Sequence, residues 1–399
     1  MRILIVGQYF YPDSFRINEI AFSLADRGHN VTVLTGLPDY TTGKVPNEYK
    51  RGRKKVEFIN GVKVIRTPVI ARRTGIVWRG INYCSFLISS TFRASFLNKD
   101  FDLIFCYQTS PVLMANAAVK MKKRTGKKLF LYCLDLWPES LKAWDVKEKS
   151  LLFRLMLGYS RRIYQSCDVI GISSIPFREY LTTIVKVEEG SIVYIPQHAE
   201  DIGSASISGK AKKAGECINF AFAGNIGKVQ DVECIIRAAS RLKDLTNFIV
   251  HIYGSGSSLN SCQTLADELD MGSRICFHGR IDRQQLLEEY KEIDVFLLTL
   301  KKQGFIGMTM PSKLQEYMSA GKPIIAAIDG AAAEVIKEAN CGMVAPPSDD
   351  EQLAGLMRKL IDNPEQSVDL GYNAYKYYKE NFTKEVFLER LEQIFHSIV

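Results

Sequence analysis

The residues best suited to chemistry lie in one segment of the second half, Pro311–Pro323. Its pattern predicts a loop, a short helix capped by Ser312, and then a buried strand. Free N–H groups and a partial positive charge at such a helix start suit a phosphate. Lys313 can add a full charge, and Glu316 can accept two hydrogen bonds from a ribose diol. The alternative is a capped surface helix whose Lys and Glu are solvated.

Length and composition describe an ordinary globular protein. The chain has 399 residues, 46% of them hydrophobic and 24% charged. Single cores rarely grow beyond roughly 250–300 residues, so we expect two domains. No run approaches the ~20 apolar residues of a membrane span. The nine cysteines form no Cys-x-x-Cys pair, which argues for reduced thiols in a cytoplasmic protein and against a zinc site or disulfide framework.

Charge is divided unevenly along the chain. Residues 1–199 carry 30 Lys and Arg against 16 Asp and Glu, a net charge of +14, whereas the remaining residues carry a net −6. The asymmetry indicates that the first domain faces a polyanion or an anionic membrane. The sequence contains none of the usual nucleic-acid modules, so we expect a membrane and no nucleic acid as the partner.

Short apolar strands alternate with helical patterns in both halves of the chain. Seven strands are predicted in the first half: Arg2–Val6, Asn30–Leu34, Val62–Arg66, Leu103–Cys106, Leu129–Leu134, Val169–Ile172 and Ile192–Ile195. Six are predicted in the second half: Ile218–Phe222, Phe248–Tyr253, Ile275–His278, Val295–Leu298, Ile324–Ala327 and Gly342–Val344. This alternation predicts an α/β protein with two doubly wound parallel-sheet domains.

A polar stretch with little periodicity, from Pro196 to about Glu216, predicts the linker between the domains. We therefore place an N-terminal domain at 1–196, a C-terminal domain at 197–372 and a C-terminal helix at 373–399, which we expect to pack back toward the N-terminal domain. Ligands of open parallel sheets bind beyond the carboxyl ends of the strands, so a cleft between the domains is the predicted site.

An ordered set of short motifs gives the chain a family resemblance. The motifs are Gln8–Pro12, Arg27–Gly36, Leu37–Tyr40, Asn60–Val64, Ser110-Pro111, Asp135–Ser140, Gly224–Lys228, the Pro-Ser-Lys-x-x-Glu helix and Gly321–Pro323. Together they resemble the retaining glycosyltransferases of family 4, most closely the bacterial O-antigen and capsule enzymes typified by L-fucosamine (N-acetyl-L-fucosamine) transferases. The resemblance implies the GT-B fold, in which two Rossmann-like domains face a cleft, and a nucleotide-sugar donor.

The resemblance assigns the sugar donor to the second domain. Glu316 matches the glutamate that binds the donor ribose, and Lys228 and Lys313 are candidate cations for the diphosphate that leaves. Lys228, in a loop after a strand, is also a candidate catalytic residue; its alternative is an exposed loop lysine. Further contacts with the donor are predicted from four residues, with backbone N–H groups assisting: Gly224, Asn225, Gly254 and Ser312.

Two parts of the site depart from the family pattern. Met308 stands where the family has a second glutamate, eight residues before Glu316. Asn225 and Gln230 stand where it has the arginine and lysine of the phosphate loop, and we expect Lys228 to substitute for them.

Asp135 is the chief candidate carboxylate of the first domain. It follows a predicted strand and can orient the acceptor hydroxyl or take up its proton, which makes it a candidate catalytic residue. The alternative is a cap on the helix that Pro138 begins. Further contacts with the acceptor are predicted from Arg16, Asn18 and Glu139; Arg16 is otherwise a solvated first-turn residue, and Glu139 shares the capping alternative.

The apolar segment Trp78–Leu97 contains Arg79 and Arg93 and is preceded by Arg72 and Arg73. A helix of this kind can lie in a membrane interface, and basic residues attract anionic lipids at roughly 1 kcal/mol each. The alternative is a buried helix with a solvated basic rim. The resemblance favours the membrane, because related enzymes act on undecaprenyl-diphosphate-linked saccharides at the inner leaflet.

These features predict a UDP-sugar-dependent retaining glycosyltransferase that builds capsule or O-antigen on a lipid-linked saccharide. We expect it to be cytoplasmic and bound peripherally to anionic lipids at the inner face of the membrane. No Asp-x-Asp motif stands where a diphosphate would need one, so we expect no essential metal and no other cofactor. Two alternatives stay open: a GT-B sugar-nucleotide epimerase, and a scaffold that binds nucleotide without turnover.

Overall fold

The computed structural model of the protein describes residues 1–144, 146–203, 212–302 and 309–399. The chain divides into two compact units, the first formed by Met1–Ile195 with Leu388–Val399 and the second by Pro196–Phe387. Each unit is built around its own β-sheet.

The first unit contains an eight-stranded sheet. Its strands are Arg2–Val6 (β1), Asn30–Gly36 (β2), Val56–Ile59 (β3), Val62–Thr67 (β4), Leu103–Gln108 (β5), Lys128–Cys133 (β6), Val169–Ile172 (β7) and Ile192–Tyr194 (β8). The strand order is β3-β4-β2-β1-β5-β6-β7-β8, and all pairs are parallel except the pair of β3 with β4. Strand order therefore reverses at β1, which pairs with β2 on one side and β5 on the other.

Helices connect the parallel strands of the first unit. They are Arg16–Asp26 (α1), Ile76–Ala94 (α2), Asn116–Thr125 (α3), Leu151–Tyr164 (α4) and Phe177–Tyr180 (α5), with shorter 3₁₀ or π segments at Asn47–Gly52, Val112–Ala115, Glu139–Trp144, Leu181–Val185 and Glu189–Ser191. No helix in the described part of the chain is long and apolar enough to cross a membrane.

The second unit contains six parallel strands in the order β11-β10-β9-β12-β13-β14. The strands are Ile218–Ala223 (β9), Phe248–Tyr253 (β10), Ile275–Gly279 (β11), Val295–Thr299 (β12), Ile324–Ala327 (β13) and Gly342–Ala345 (β14). The helices are Val232–Ser240 (α6), Leu259–Glu268 (α7), Arg283–Glu292 (α8), Ser312–Ser319 (α9), Ala331–Glu338 (α10), Asp350–Asp362 (α11) and Gln366–Asn381 (α12). This is the strand order of a dinucleotide-binding fold, with the reversal at β9.

Both faces of the second sheet are buried. Along β9, Phe220 and Phe222 belong to one hydrophobic cluster, whereas Ala221 and Ala223 belong to the other. Successive side chains of a strand point to opposite faces, so a strand buried on both sides reads as a continuous apolar run. The predicted fold class is confirmed: the chain has two parallel-sheet α/β units.

All thirteen predicted strands are present, and the described residues contain one further strand that was not predicted. It is β3, which forms an antiparallel hairpin with β4. The connecting residues Asn60 and Gly61 both have positive φ, 45° and 77°, as a tight hairpin turn requires. An Asn-Gly pair between two apolar runs is therefore the signal that would have predicted β3.

The C-terminal segment contains two helices where one was predicted. The first is the end of α12, and the second is Lys384–Ile398 (α13), whose last residues belong to the first unit. There the ring of Phe395 lies 5.5 Å from that of Phe105 and 5.6 Å from that of Phe130.

Candidate functional site

The predicted nucleotide site lies where β9 and β10 end. Open sheets bind ligands beyond the strand at which the strand order reverses, and Gly224 directly follows that strand. Its N–H donates to the carbonyl of Tyr253 at 2.8 Å, and the N–H of Gly254 donates to the carbonyl of Gly279 at 2.7 Å. These bonds draw the loops after β9, β10 and β11 together.

Only glycine fits where these loops meet. Gly224 and Gly254 have φ of 137° and 136°, a region that is essentially restricted to glycine. A Cβ at Gly254 would lie 1.8 Å from the carbonyl oxygen of Gly224. The two backbones can therefore approach this closely only because neither residue has a side chain.

We expect Gly254→Ala to weaken nucleotide binding strongly and to destabilise the second unit by about 1–3 kcal/mol, because the loops must separate to admit the methyl group. Urea unfolding and nucleotide titration measure the two effects. Gly272→Ala is the matched control, since a Cβ there meets no atom within 4 Å. Equal behaviour of the two variants would contradict this account of the junction.

A cavity of about 290 Å³ opens at the junction. Its lining comes from the three loops and the start of α8: Gly224, Asn225, Tyr253, Gly254, Ser255, Arg280, Ile281 and Leu286. The volume lies just below the usual range for small-ligand sites, and the wall combines apolar side chains with the polar side chains of Asn225, Ser255 and Arg280.

Lys313 projects from the first turn of α9 to this junction. Its Nζ lies 3.7 Å from the centre of the Phe222 ring. A Cβ at Gly224 would lie 2.3 Å from Lys313 Cε, so the glycine also leaves room for the lysine. Burial lowers the pKa of Lys313 to about 7, although the negative charge of Glu316 opposes this shift. No carboxylate of the described residues forms an ion pair with the ammonium group, which leaves it available to an anionic ligand.

Glu316 lies one helical turn beyond Lys313. Its Oε1 accepts hydrogen bonds from Arg283 and, at 3.2 Å, from the Tyr290 hydroxyl, and its side chain is 17% exposed. Its Oε2 accepts no hydrogen bond from the residues that the structure describes. One carboxylate oxygen is thus fixed by α8, and the other is available to a ligand hydroxyl.

The other predicted donor-binding residues differ in their positions and in their hydrogen bonds. Ser312 does not cap α9: Pro311 occupies the cap position, and Ser312 is the first helical residue. The amide of Asn225 donates to Gln230 at 3.0 Å, so the two neutral residues at the family's cationic positions bind each other. Lys228 is exposed on the same loop. Met308 lies outside the described residues.

Two residues that hold the loop after β9 in place were not predicted from the sequence. The Tyr317 hydroxyl, on the buried face of α9, bonds the N–H and carbonyl of Ala223 at 2.9 and 3.2 Å. Asp231 follows the loop and is fully buried. Its carboxylate accepts a hydrogen bond from the Ser348 hydroxyl at 2.6 Å and lies 3.5 Å from Lys301 Nζ. A tyrosine at an apolar helix position and an isolated aspartate carry no local signal of these long-range bonds.

Asp135 occupies the corresponding edge of the first sheet, after β6. Its two carboxylate oxygens accept hydrogen bonds from the hydroxyls of Ser110 and Ser140. The indole N–H of Trp137 in turn donates a hydrogen bond to the Ser110 hydroxyl at 2.9 Å. Burial raises the pKa of Asp135, while these hydrogen bonds oppose the rise. A buried carboxyl with a raised pKa is suited to accept a proton.

The three residues predicted to bind the sugar acceptor differ in which of their polar groups remain available to a ligand. The side-chain amide of Asn18 forms hydrogen bonds within the protein. It accepts one from the Tyr11 N–H at 3.0 Å and donates one to the Asp13 carbonyl at 2.8 Å. Glu139 is buried and pairs with Lys142 at 2.6 Å. Arg16 Nη1 is buried without a hydrogen-bond partner among the described residues, so Arg16 retains an N–H for a ligand. All three roles stay predictions.

All nine cysteines are free thiols. Within the described residues, no group of three or more His, Cys, Asp or Glu side chains is arranged to hold a metal ion. The sequence contains one Asp-x-Asp motif, Asp100 to Asp102. It directly precedes β5, and both aspartates form ion pairs with Arg2.

Comparison with known proteins identifies the two units. Residues 14–198 match the glycosyl transferase 4-like domain, and residues 205–377 match the glycosyl transferases group 1 family. Together with the two parallel sheets, these matches define a glycosyltransferase of the GT-B fold. The chain belongs to the glycosyltransferases that join these two domains.

Individual relatives agree with this assignment. The chain is 27% identical to a probable glycosyltransferase WbjE of Pseudomonas aeruginosa, over 71% of each chain. It is 22% identical to a putative colanic acid biosynthesis glycosyl transferase WcaI of Escherichia coli, over 96% of this chain and 98% of that one. The solved structure of Anabaena Alr3699/HepE in complex with UDP covers all of both chains with a TM-score of 0.72 at 14% identity, a likeness of fold.

Proposed function

We propose that this glycosyltransferase takes its sugar from a UDP-sugar bound in the second unit and transfers it with retention of configuration. The observation that carries the proposal is the junction of Gly224 and Gly254 with Lys313 and Glu316. A nucleoside diphosphate sugar requires a cation at its phosphates and an acceptor for its ribose hydroxyls, and Lys313 and Glu316 are suited to these two tasks. The similar fold of an Anabaena protein that was crystallised with UDP supports UDP as the nucleotide.

Each charged residue has a distinct task in this proposal. Negative charge develops on the diphosphate as its bond to the sugar breaks, and the charges of Lys313 and Lys228 stabilise it. Glu316 binds the ribose. In the first unit, Asp135 orients the acceptor hydroxyl and takes up its proton, for which its raised pKa is suited. The reaction needs no essential metal or other cofactor.

The acceptor in this proposal is a lipid-linked saccharide, and the product is part of a surface polysaccharide. A relative named for colanic acid biosynthesis supports the polysaccharide class. Arg16, whose Nη1 lacks a partner among the described residues, is suited to the acceptor phosphate. Undecaprenyl diphosphate as the carrier, capsule or O-antigen as the product, and N-acetyl-L-fucosamine or a related amino sugar as the group transferred stay predictions.

Incubation with labelled UDP-sugars and membranes of the source organism tests the proposal. We expect label to enter the lipid fraction, with and without EDTA, and NMR of the product to show the anomeric configuration of the donor. A changed donor sugar without any acceptor would identify an epimerase. Nucleotide binding without transfer would identify a scaffold, and activity that vanishes in EDTA and returns with metal would contradict metal independence.

The first unit also presents a surface suited to a membrane. Four apolar side chains on or just beyond α2 are about two-thirds exposed: Val77, Ile88, Phe92 and Phe96. Arg93, which stands between Phe92 and Phe96 in the sequence, lines two cavities of about 720 and 610 Å³ beside β3. We propose that this surface docks on anionic lipids at the inner leaflet, with the phenylalanines in the interface and the basic residues at the headgroups.

Docking should be peripheral and sensitive to salt, because charge contributes much of the binding. We expect the protein to sediment with vesicles of anionic phospholipid at low salt and to be released as salt is raised. The double variant Phe92→Ser, Phe96→Ser should sediment less, whereas Tyr372→Ser, at an exposed aromatic of the second unit, should behave as wild type. Protein that stays in the supernatant at low salt would contradict docking.

A further inference from the structure

Two motifs of the first unit have no role in the function proposed so far. They are Gln8–Pro12, which follows β1, and Leu37–Tyr40, which follows β2. Strand order in the first sheet reverses at β1, so both motifs lie at the edge where open sheets bind ligands.

Asp13 joins the loops that contain these motifs. Its carboxylate is buried and accepts the backbone N–H groups of Asp39, Tyr40 and Thr41 at 3.1, 3.2 and 3.0 Å, and the Thr41 hydroxyl at 2.7 Å. Asn18 bonds the backbone of the first loop at two points. Four hydrogen bonds to the buried Asp13 carboxylate therefore hold the backbone at Tyr40 and at its two neighbours in place, and hydrogen bonds to a carboxylate are stronger than neutral ones.

A second buried network extends from Asp39 to α2. The Asp39 carboxylate accepts from the Arg72 N–H and from the Asn82 amide, both at 2.7 Å. Asn82 in turn accepts from Gln8 at 2.8 Å and from the Tyr9 hydroxyl at 3.3 Å. Burial raises the pKa of Asp39 to about 6, and the hydrogen bonds from Arg72 and Asn82 oppose this rise.

These bonds hold three rings and one guanidinium in a single group. The rings of Tyr9 and Phe15 stack at 5.2 Å, and that of Tyr40 meets them edge-on at 4.9 and 4.8 Å. Arg72 lies 4.6 Å from the Tyr40 ring and donates to the Tyr9 hydroxyl at 3.0 Å. Tyr40 is 44% exposed, whereas Tyr9 is buried beneath it. No carboxylate in the described ranges forms an ion pair with Arg72.

We propose that Tyr40 and Arg72, supported by Tyr9 and Phe15, form a platform that binds a sugar ring of the acceptor. This inference rests on the proposed glycosyl transfer, because it names where the acceptor saccharide of that reaction binds. An aromatic ring held rigidly and left exposed offers an apolar face to the C–H face of a pyranose. The remaining N–H groups of Arg72 can bond the sugar hydroxyls.

The platform and the candidate catalytic carboxylate lie at the same edge of the first sheet. The two motifs follow β1 and β2, and Asp135 follows β6, which is parallel to them in the same sheet. A sugar ring on Tyr40 is thus bound on the same edge of the sheet as the carboxyl proposed to accept its proton.

Saturation-transfer difference NMR tests the platform directly. The probes are soluble methyl glycosides of common hexoses and N-acetylhexosamines, with aromatic protein protons irradiated in the presence of UDP. We expect at least one glycoside to receive saturation at its ring protons. Its affinity should fall about tenfold in Tyr40→Ala, as loss of one aromatic contact of ~1.4 kcal/mol implies. Tyr40→Phe should retain binding, and Arg72→Met should weaken it.

Tyr372→Ala, at an exposed aromatic of the second unit, is the matched control and should leave glycoside binding unchanged. Saturation of no glycoside, or equal saturation in wild type and Tyr40→Ala, would overturn the platform. UDP affinity is measured on the same samples. A protein that binds UDP but no glycoside contradicts the platform alone, whereas one that binds glycoside but no UDP contradicts the proposed donor site alone.

Discussion

Replacing Glu316 with alanine is expected to weaken UDP binding by about 2–3 kcal/mol, roughly 30- to 150-fold, because a charged acceptor of the ribose hydroxyls is lost. Its Oε1 is held by Arg283 and Tyr290, so Oε2 is already oriented when the nucleotide arrives. Little affinity is then spent on ordering the carboxylate, and truncation removes the whole contact. Isothermal titration with UDP measures the loss.

Two further variants distinguish ribose binding from a general effect of charge. Glu316→Gln keeps one acceptor oxygen and should lose less affinity than the alanine variant. Glu288→Ala removes an exposed carboxylate of α8 that pairs with Lys291 and should bind UDP as wild type does. Circular dichroism and the melting temperature confirm folding. If folded Glu316→Ala retained the wild-type affinity, Glu316 would not contact the nucleotide.

Lys313 is expected to make UDP binding depend on pH. Burial lowers its pKa to about 7, so above that pH the unliganded lysine is increasingly neutral. A bound diphosphate favours the charged form and raises the pKa, so binding takes up a proton. Affinity should therefore fall as pH rises from about 7 to 9, by up to about tenfold per pH unit. Titration calorimetry in buffers of different ionisation enthalpy measures both the affinity and the proton uptake.

Lys313→Met should weaken binding near pH 7 and remove most of this dependence on pH. Lys243→Met, at a half-exposed lysine of the second unit, is the matched control and should retain the wild-type profile. The same fall with pH in Lys313→Met as in wild type would show that another group takes up the proton. Lys228→Ala, by contrast, should mainly slow transfer, because an exposed loop charge contributes most as the diphosphate leaves.

Much of the fold could be predicted because most central strands are buried on both faces. Runs such as Ile324–Ala327 are apolar throughout, and their alternation with helical patterns determines the fold class. β3 was missed because an edge strand alternates exposed and half-buried residues: Val56 and Phe58 are exposed, and Glu57 and Ile59 are half-buried. The turn chemistry of the following Asn-Gly pair was the stronger signal.

The positions of the site residues could be predicted better than their contacts. The presence of α9 and the glycine after β9 follow from local pattern. The bond of Glu316 to Arg283 joins residues 33 positions apart, and that of Tyr317 to Ala223 joins residues 94 apart; neither has a local signature. Serine is a common N-cap residue, but the N-cap of α9 is Pro311, one residue before Ser312.

The central claim is that the second unit binds the nucleoside diphosphate of a sugar donor, and a thermal unfolding screen tests it most directly. A ligand that binds only the folded protein at 100 times its Kd stabilises it by about 2.7 kcal/mol. We predict that UDP and at least one UDP-sugar raise the melting temperature by several degrees in wild type, and that the rise is much smaller in Glu316→Ala. A panel of UDP, GDP, dTDP, CDP and ADP sugars that leaves the melting temperature unchanged would contradict the claim.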